Sequence, residues 1–161
     1  MKIYSLSHMF DDSGNNLVRH AFPKRAKDLW EKLAPGDQIE FEWGEGDAGL
    51  PHADFVPTTL SVFIGTTNLA RQVKEKFAPS SISQVVVVDG EDQKLCMLRP
   101  KNFTMEDELL DHLFMLHPTM RGLLGTEVFV NFWRNSKLTG LGIREVGELP
   151  DDRFSRIDGN H

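Results

Sequence analysis

The residue types best able to do chemistry lie between positions 106 and 117, where four acids precede two histidines: Glu106, Asp107, Glu108, Asp111, His112 and His117. Carboxylates and imidazoles in contact can act as general acid and base, so one hypothesis is a small hydrolase or transferase. A metal site is disfavoured, because five residues of helix turn the two histidine rings roughly 140° apart. We favour a structural explanation, since acids in the first turns of a helix complement its dipole.

No other pattern in the chain predicts catalysis. The glycines at 122 and 125 and at 140 and 142 lack the spacing and the following lysine of a phosphate-binding loop. Cys96 has apolar neighbours in a predicted strand, which favours a buried structural thiol over a nucleophile. We therefore predict that the chain is not an enzyme and that it has no catalytic residues, metal or cofactor.

A second group of charged residues favours binding over catalysis. It holds five acids, a tryptophan and no basic residue: Asp37, Glu40, Glu42, Trp43, Glu45 and Asp47. Carboxylates attract a basic protein partner, and an aromatic side chain can anchor an interface. The simpler interpretation is a solvated strand face, which is the usual role of a run of charges. We predict this acidic strip as the candidate partner-binding surface.

Length and charge restrict the class of protein. At 161 residues the chain fits one domain with its own core. The net charge of −6 argues against non-specific binding to nucleic acid, which depends on basic side chains. No apolar stretch approaches ~20 residues, so no membrane segment is expected. One cysteine cannot form an internal disulfide, which favours the cytoplasm.

The pattern between Thr59 and Asp89 predicts a strand, a helix and a second strand. Thr66 or Thr67 can cap the helix, and Pro79 requires that it end by Ala78. The apolar stripe expected to face the core has helical spacing: Leu69, Ala70, Val73 and Phe77. The second strand is rich in valine, and residues 93–98 are expected to return antiparallel to it.

A shorter version of this unit follows between Thr126 and Val146. Its first strand is predicted at 128–130, one or two helical turns at Phe132, Trp133 and Leu138, and its second strand at 143–146. The connection is barely long enough for a parallel crossover, so the direction of the second strand stays open. Together the patterns predict a mixed α+β fold in a single domain. It would have one central mixed sheet with two strand–helix–strand units and short flanking helices. We divide it into an N-terminal region (1–52), a core of two similar halves (53–146) and a C-terminal tail (147–161).

The remaining patterns predict smaller elements around this core. Residues 2–10 are expected to form an edge strand. A short helix is expected to begin at Pro23 and to end before Pro35, with Ala26, Leu29, Trp30 and Leu33 on its inner face. The alternation of Gln38 to Trp43 predicts a strand with one solvent-exposed face. A capping motif at Thr104 predicts a helix that includes Leu113 and Phe114.

Several of these segments together resemble a known family. They are Asp54–Pro57, Val62–Ile64, Lys76–Pro79 with the valine strand, Val128–Asn131, Leu138–Leu141 and Arg144–Val146. In order and type they are similar to bacterial immunity proteins of polymorphic toxin systems, the group called immunity protein family eleven. The similarity covers about residues 53–146, in matching elements rather than identities. The chain departs from the family in its short segment between Pro100 and Thr126.

This resemblance implies a cytoplasmic protein of interbacterial competition that binds a cognate toxin domain and blocks it. It implies no catalytic residue, because occluding or distorting the toxin is enough. If the toxin is a nuclease with a basic cleft, the acidic strip could imitate the charge of its substrate. The identity of the toxin and the oligomeric state of the chain stay open at this point.

Overall fold

The computed structural model of the chain describes residues 1–7, 12–13, 17–32, 34, 36–46, 49–51, 53–58, 62–88, 94–100, 111–115 and 123–150. These residues form strands and helices that confirm the mixed α+β class. The first elements are β1 (Lys2–Ser7), β2 (Ala21–Pro23), α1 (Asp28–Glu31), β3 (Gln38–Trp43), β4 (Phe63–Thr66) and α2 (Thr67–Phe77). They are followed by β5 (Ser81–Val88), β6 (Leu95–Pro100), β7 (Leu113–Met115), β8 (Leu123–Thr126), α3 (Glu127–Arg134) and β9 (Gly142–Glu148).

The strands form two sheets, whereas one central sheet was expected. A five-stranded sheet has the order β2-β3-β5-β6-β4, and its β3–β5 pair is parallel. A four-stranded sheet has the order β7-β8-β1-β9, and every pair in it is antiparallel. β1 is therefore an inner strand, and the prediction of an edge strand at the start of the chain is wrong.

Both predicted strand–helix–strand units are present, one in each sheet. β4 and β5 are each antiparallel to β6, which lies between them, so the two strands joined by α2 run parallel. β8 and β9 are likewise each antiparallel to β1 and are joined by α3. Two strands that lie on either side of a third need a crossover connection, and in each unit a helix supplies it.

Helix α2 matches its prediction closely. The Thr66 side chain accepts a hydrogen bond from the Leu69 amide at 3.4 Å, which caps the helix start. All four residues of the predicted apolar stripe are buried, and the helix ends at Phe77 before the C-cap Ala78. Periodicity and capping therefore specify this element within the sequence itself. β6 also pairs antiparallel with β5, as expected.

The second unit is shifted from its prediction. Residues 128–130, predicted as a strand, lie inside α3, and the strand of this unit is the preceding β8. Thr126 caps α3 by accepting a hydrogen bond from the Val128 amide at 3.2 Å. Phe129, Val130 and Trp133 are buried at helical spacing. A run of three apolar residues fits a strand or a helix equally well, and here the cap favours the helix.

Two other predictions need correction. The helix expected from Pro23 to before Pro35 is only the four residues of α1, and Pro23 is the last residue of β2. Leu113 and Phe114 belong to strand β7 and pair with β8, so the helix predicted from Thr104 does not include them. Its earlier part, 104–110, lies outside the described residues. A short strand without clear alternation is specified by its partner strand more than by its own sequence.

Two hydrophobic clusters hold these layers together. The larger joins α2 and α3 to side chains of both sheets, among them Leu6, Phe63 and Leu123. The smaller covers the other face of the five-stranded sheet and includes Ile39 and Phe41 of β3. In the described part of the chain, no helix is long and apolar enough to cross a membrane.

Candidate functional site

Strand β3 separates its acids from its apolar residues by simple alternation. Glu40 and Glu42 are exposed, whereas Ile39 and Phe41 are fully buried. Successive side chains of a strand point to opposite faces, so the two glutamates share one face of the sheet. This confirms the predicted strand with one solvent-exposed face. It also fixes both carboxylates on a rigid element with paired strands on either side.

The neighbouring strands add apolar surface beside the two glutamates. Glu40 lies opposite Val87 of β5, and Glu42 lies opposite Phe22 of β2. Residues directly opposite each other point to the same face. Val87 and Phe22 are half-buried. We call the surface made of Phe22, Gln38, Glu40, Glu42, Val85 and Val87 the acidic face.

The predicted aromatic anchor does not belong to the acidic face. Trp43 is an odd-numbered residue of β3, so it points with Ile39 and Phe41 toward the smaller core cluster. It is half-buried there, and the Arg19 guanidinium lies 5.6 Å from its ring centroid. Trp43 therefore packs against the smaller core cluster, on the opposite face of β3 from Glu40 and Glu42, and its role in binding a partner stays a prediction.

The remaining acids of the strip lie before and after β3. The Asp37 carboxylate accepts a hydrogen bond from the Ala34 amide at 3.1 Å, so it stabilises the turn that leads into the strand. Glu45 is exposed in the loop after β3. Asp47 lies outside the described residues. The described part of the strip is thus a turn residue, two acids on a strand face and a loop residue. Among these acids, Glu40 and Glu42 share one surface.

A buried polar network that the sequence analysis missed holds α1 and the segment that follows it. The Gln84 amide donates to the carbonyl oxygens of Lys32 and Ala34 at 2.8 and 2.9 Å. Its oxygen accepts from Arg99 at 3.2 Å, and Arg99 also donates to the Leu29 carbonyl. Arg99 is 1% exposed, and burial lowers the pKa of its guanidinium. The network connects the segment after α1 to β5 and β6. Strand propensities do not predict such a network.

The residues of the catalytic hypothesis are only partly described. Glu106, Asp107, Glu108 and His117 lie outside the described residues. Asp111 is buried and accepts hydrogen bonds from the backbone amide of Ser80, at 3.1 Å, and from its hydroxyl. His112 is buried with its Nδ1 atom 2.9 Å from the Thr126 hydroxyl. These two contacts join the residues just before β7 to the turn between α2 and β5 and to the start of α3.

Two of the segments that carry the family resemblance contact each other. The Asp54 carboxylate accepts hydrogen bonds from the Thr139 amide at 2.8 Å and the Thr139 hydroxyl at 2.9 Å. Gly140 has a φ of 103°, and a Cβ there would lie 2.6 Å from the Phe55 carbonyl oxygen. Glycine is thus required by both backbone angle and space. These residues position the loop between α3 and β9 rather than form a reactive site.

Comparison with known proteins gives no relative from which to transfer a role. No protein-family model matches the chain, and no curated protein matches it. Within the described ranges, no three residues among His, Cys, Asp and Glu are grouped as a metal site would require. The acidic face is therefore assessed on its own geometry.

Proposed function

We propose that this chain is an immunity-type protein that binds a toxin domain in the bacterial cytoplasm and blocks it without catalysis. The observation that carries the proposal is the acidic face, where Glu40 and Glu42 are exposed side by side on β3. The resemblance of residues 53–146 to toxin immunity proteins supports the class of partner. Binding needs only a complementary surface, which agrees with a site built from strand residues.

The charges of the acidic face favour a basic partner. Among the described residues, neither Glu40 nor Glu42 forms an ion pair with a basic side chain of this chain. Exposed carboxylates that form no ion pair within their own chain attract a positively charged surface over several ångströms and speed its association. The half-buried Phe22, Val85 and Val87 would supply apolar contact once the partner has docked. A basic cleft covered in this way would be closed to its substrate.

The test of the function is rescue. Cells that express the protein encoded immediately upstream should be protected by co-expression of this chain if that protein is the toxin. Purified wild-type chain should also bind the toxin domain directly. Absence of both protection and binding with the neighbouring product would contradict the proposed function.

The test of the surface is charge reversal. We expect the Glu40→Lys/Glu42→Lys/Glu45→Lys variant to associate about tenfold more slowly at low salt, because steering by these carboxylates is lost. The Glu31→Lys/Glu75→Lys variant reverses exposed acids elsewhere and should associate nearly as the wild type does. Stopped-flow or surface-plasmon measurements at two salt concentrations separate the cases. Unchanged association of the first variant at low salt would exclude the acidic face from the interface.

A further inference from the structure

The acidic face is the exposed half of a sheet surface whose other half is covered by helix α2. Phe63 of β4 and Leu98 of β6 lie opposite each other, and both pack with α2 in the larger hydrophobic cluster. Ser83 of β5 also lies opposite Leu98. Val85 and Val87 follow at every second position of β5, so they point to this same side of the sheet. The acidic face and α2 are therefore neighbours on one side of the five-stranded sheet.

The exposed half is wide enough for one further helix. A helix with its side chains is about 10 Å wide and neighbouring strands lie about 4.8 Å apart, so one helix covers about two strands. α2 covers β4 and β6, and the next two strands in the sheet are β5 and β3. Among the described helices, α1 packs on the opposite side of the sheet through Leu29, and α3 packs on β8 and β1 of the other sheet. A helix placed beside α2 would therefore meet β5 and β3.

Side chains of β5 and β3 form two parallel rows on this surface. Val85 and Val87 form a half-buried apolar row, and Glu40 and Glu42 form an exposed acidic row on the next strand. The pairing of β3 with β5 places Glu40 directly opposite Val87. The two residues of each row are about 6.6 Å apart along their strand. Residues i and i+4 of a helix rise by about 6 Å, so a helix lying along the strands can match both rows.

We propose that the acidic face binds one basic amphipathic helix of the toxin domain, which lies beside α2 and over β5 and β3. The apolar stripe of this helix packs on Val85 and Val87, and two lysines or arginines one turn apart reach Glu40 and Glu42. The charge of the acidic row selects a basic helix, and the apolar row beside it selects an amphipathic one. This inference rests on the proposed function, because it names the part of the partner that occupies the site.

A helix fits this surface better than an extended segment does. The surface offers side chains and not the backbone groups of a strand edge, so it cannot satisfy the amides and carbonyls of an extended chain. A helix satisfies these groups internally. An apolar stripe with its adjoining basic flank is also wide enough to contact both rows, whereas a strand presents one row of side chains to a surface.

Helix α2 adds a positive charge at the other border of this surface. The Lys74 ammonium donates to the carbonyl oxygen of Pro79, at 3.1 Å, and to that of Ser81, where β5 begins. A basic side chain next to Lys74 would be repelled, whereas Glu40 and Glu42 attract it. The basic residues of the partner helix therefore belong on the flank that faces away from α2.

The first experiment uses synthetic peptides and the purified full chain. The probe is a labelled peptide of about 15 residues, which as a helix spans about 20 Å, the length of β3. It carries a leucine stripe and, on one flank, two lysines one turn apart. The control peptide has the same composition, with its leucines and lysines spread around the helix. Fluorescence anisotropy should show about tenfold tighter binding of the probe, and equal binding of both peptides would overturn the proposal.

Variants of the chain test the two rows separately. Val85→Thr/Val87→Thr keeps the β-branched shape and removes apolar surface, so it should weaken binding of the probe about fivefold, even at high salt. Glu40→Gln/Glu42→Gln should weaken binding about fivefold at low salt and little at high salt, because salt screens exposed charges. Unchanged affinity of either double variant at low salt would overturn the proposal.

Matched changes elsewhere in the chain are the controls. Val146→Thr replaces an exposed valine of β9, and Glu31→Gln/Glu75→Gln neutralises two exposed acids on helices. Both should bind the probe as the wild type does, and circular dichroism shows whether each variant is folded. Losses in these controls equal to those of the two test variants would overturn the location of the site.

The toxin domain separates failure of this inference from failure of the proposed function. Binding of the toxin that Val85→Thr/Val87→Thr leaves unchanged, together with rescue of cells, would support the function and overturn the helix site. Selective binding of the probe without rescue or toxin binding would support a surface for basic helices and overturn the function. In the complex, hydrogen exchange should slow in one helical segment of the toxin. Protection confined to its loops would overturn the inference.

Discussion

The two strand–helix–strand units share a local sequence logic but complete their sheets differently. Each begins with a strand that ends in Gly-Thr, at Gly65-Thr66 and again sixty positions later at Gly125-Thr126. Each threonine caps the helix that follows. The buried helix positions also correspond: Leu69 with Phe129, Ala70 with Val130, and Val73 with Trp133. The same short pattern therefore specifies both helices.

The strand between the parallel pair has a different origin in the two units. In the first it is β6, which follows β5 directly in the chain. In the second it is β1, which pairs with β8 and β9 from the opposite end of the sequence. Contacts between distant residues require closure of a long loop and form slowly. The first unit can fold from local sequence, whereas the second requires the start of the chain.

The atoms packed against the glycine before each helix also differ between the two units. A Cβ on Gly65 would lie 2.9 Å from the backbone oxygen of Asp54. A Cβ on Gly125 would lie 3.0 Å from the end of the Leu6 side chain. A side-chain end can rotate aside, but a carbonyl held by neighbouring backbone cannot. Equivalent substitutions should therefore have unequal effects.

The largest expected difference is at these glycines. We expect Gly65→Ala to lower the free energy of unfolding by roughly 2 to 3 kcal/mol, because backbone must move to admit the methyl group. Gly125→Ala should cost about 1 kcal/mol or less, since Leu6 can shift. Gly36→Ala, with no atom within 4 Å of the new Cβ, is the matched control. Urea denaturation measures all three, and equal losses at 65 and 125 would contradict this explanation.

The capping threonines should show the opposite order. Thr126 is fully buried, and its hydroxyl contacts both His112 and the Val128 amide. Thr66 is half-buried, and among the described residues its hydroxyl accepts only the Leu69 amide. We expect Thr126→Ala to lower the free energy of unfolding by about 2 kcal/mol and Thr66→Ala by about 1 kcal/mol.

Serine variants provide the control for this pair. Thr126→Ser and Thr66→Ser keep the hydroxyl that accepts the amide hydrogen bond. Both should recover most of the stability lost in the alanine variants. Thermal or urea unfolding that ranks Thr66→Ala as the more harmful change would contradict the comparison.

The smallest expected effect is at the residue that pairs with each glycine on the middle strand of its unit, β6 in the first unit and β1 in the second. It is Cys96 opposite Gly65 and Tyr4 opposite Gly125. Burial raises the pKa of the Cys96 thiol, and hydrogen bonds with Ser83 and Gln84 partly oppose this. A raised pKa leaves less thiolate near pH 8, so alkylation should be slower in the folded chain than in the unfolded chain.

The sign of the linked effect on stability follows from the same shift. The stability that the protonated Cys96 thiol contributes is fully present at a pH below the pKa of this thiol in the unfolded chain. It is lost as the pH rises through the higher pKa of the thiol in the folded chain. Iodoacetamide labelling from pH 7 to 10 measures the shift. Ser83→Ala, which removes a hydrogen bond that lowers the pKa, should slow labelling further. Equal folded and unfolded rates at every pH would contradict the assignment.

Local signals in the sequence predicted the fold class, α2 and the alternation of β3. Alternation alone also places Trp43 on the opposite face from Glu40 and Glu42, so grouping all three in one strip contradicted the strand pattern itself. The position of β8 was missed because its Leu-Leu-Gly-Thr carries little strand signal of its own. The Gly-Thr pair shared with the first unit was the available clue.

By itself, the sequence determined where helix α2 begins and ends, which of its residues are buried, and which side of β3 is acidic. Those features depend on contacts a few residues apart, such as caps and periodic side chains. Only the tertiary structure decided that the units occupy two sheets, that β1 completes the second, and that Arg99 is buried against Gln84. These outcomes depend on pairing between distant segments, whose free energy no local pattern contains.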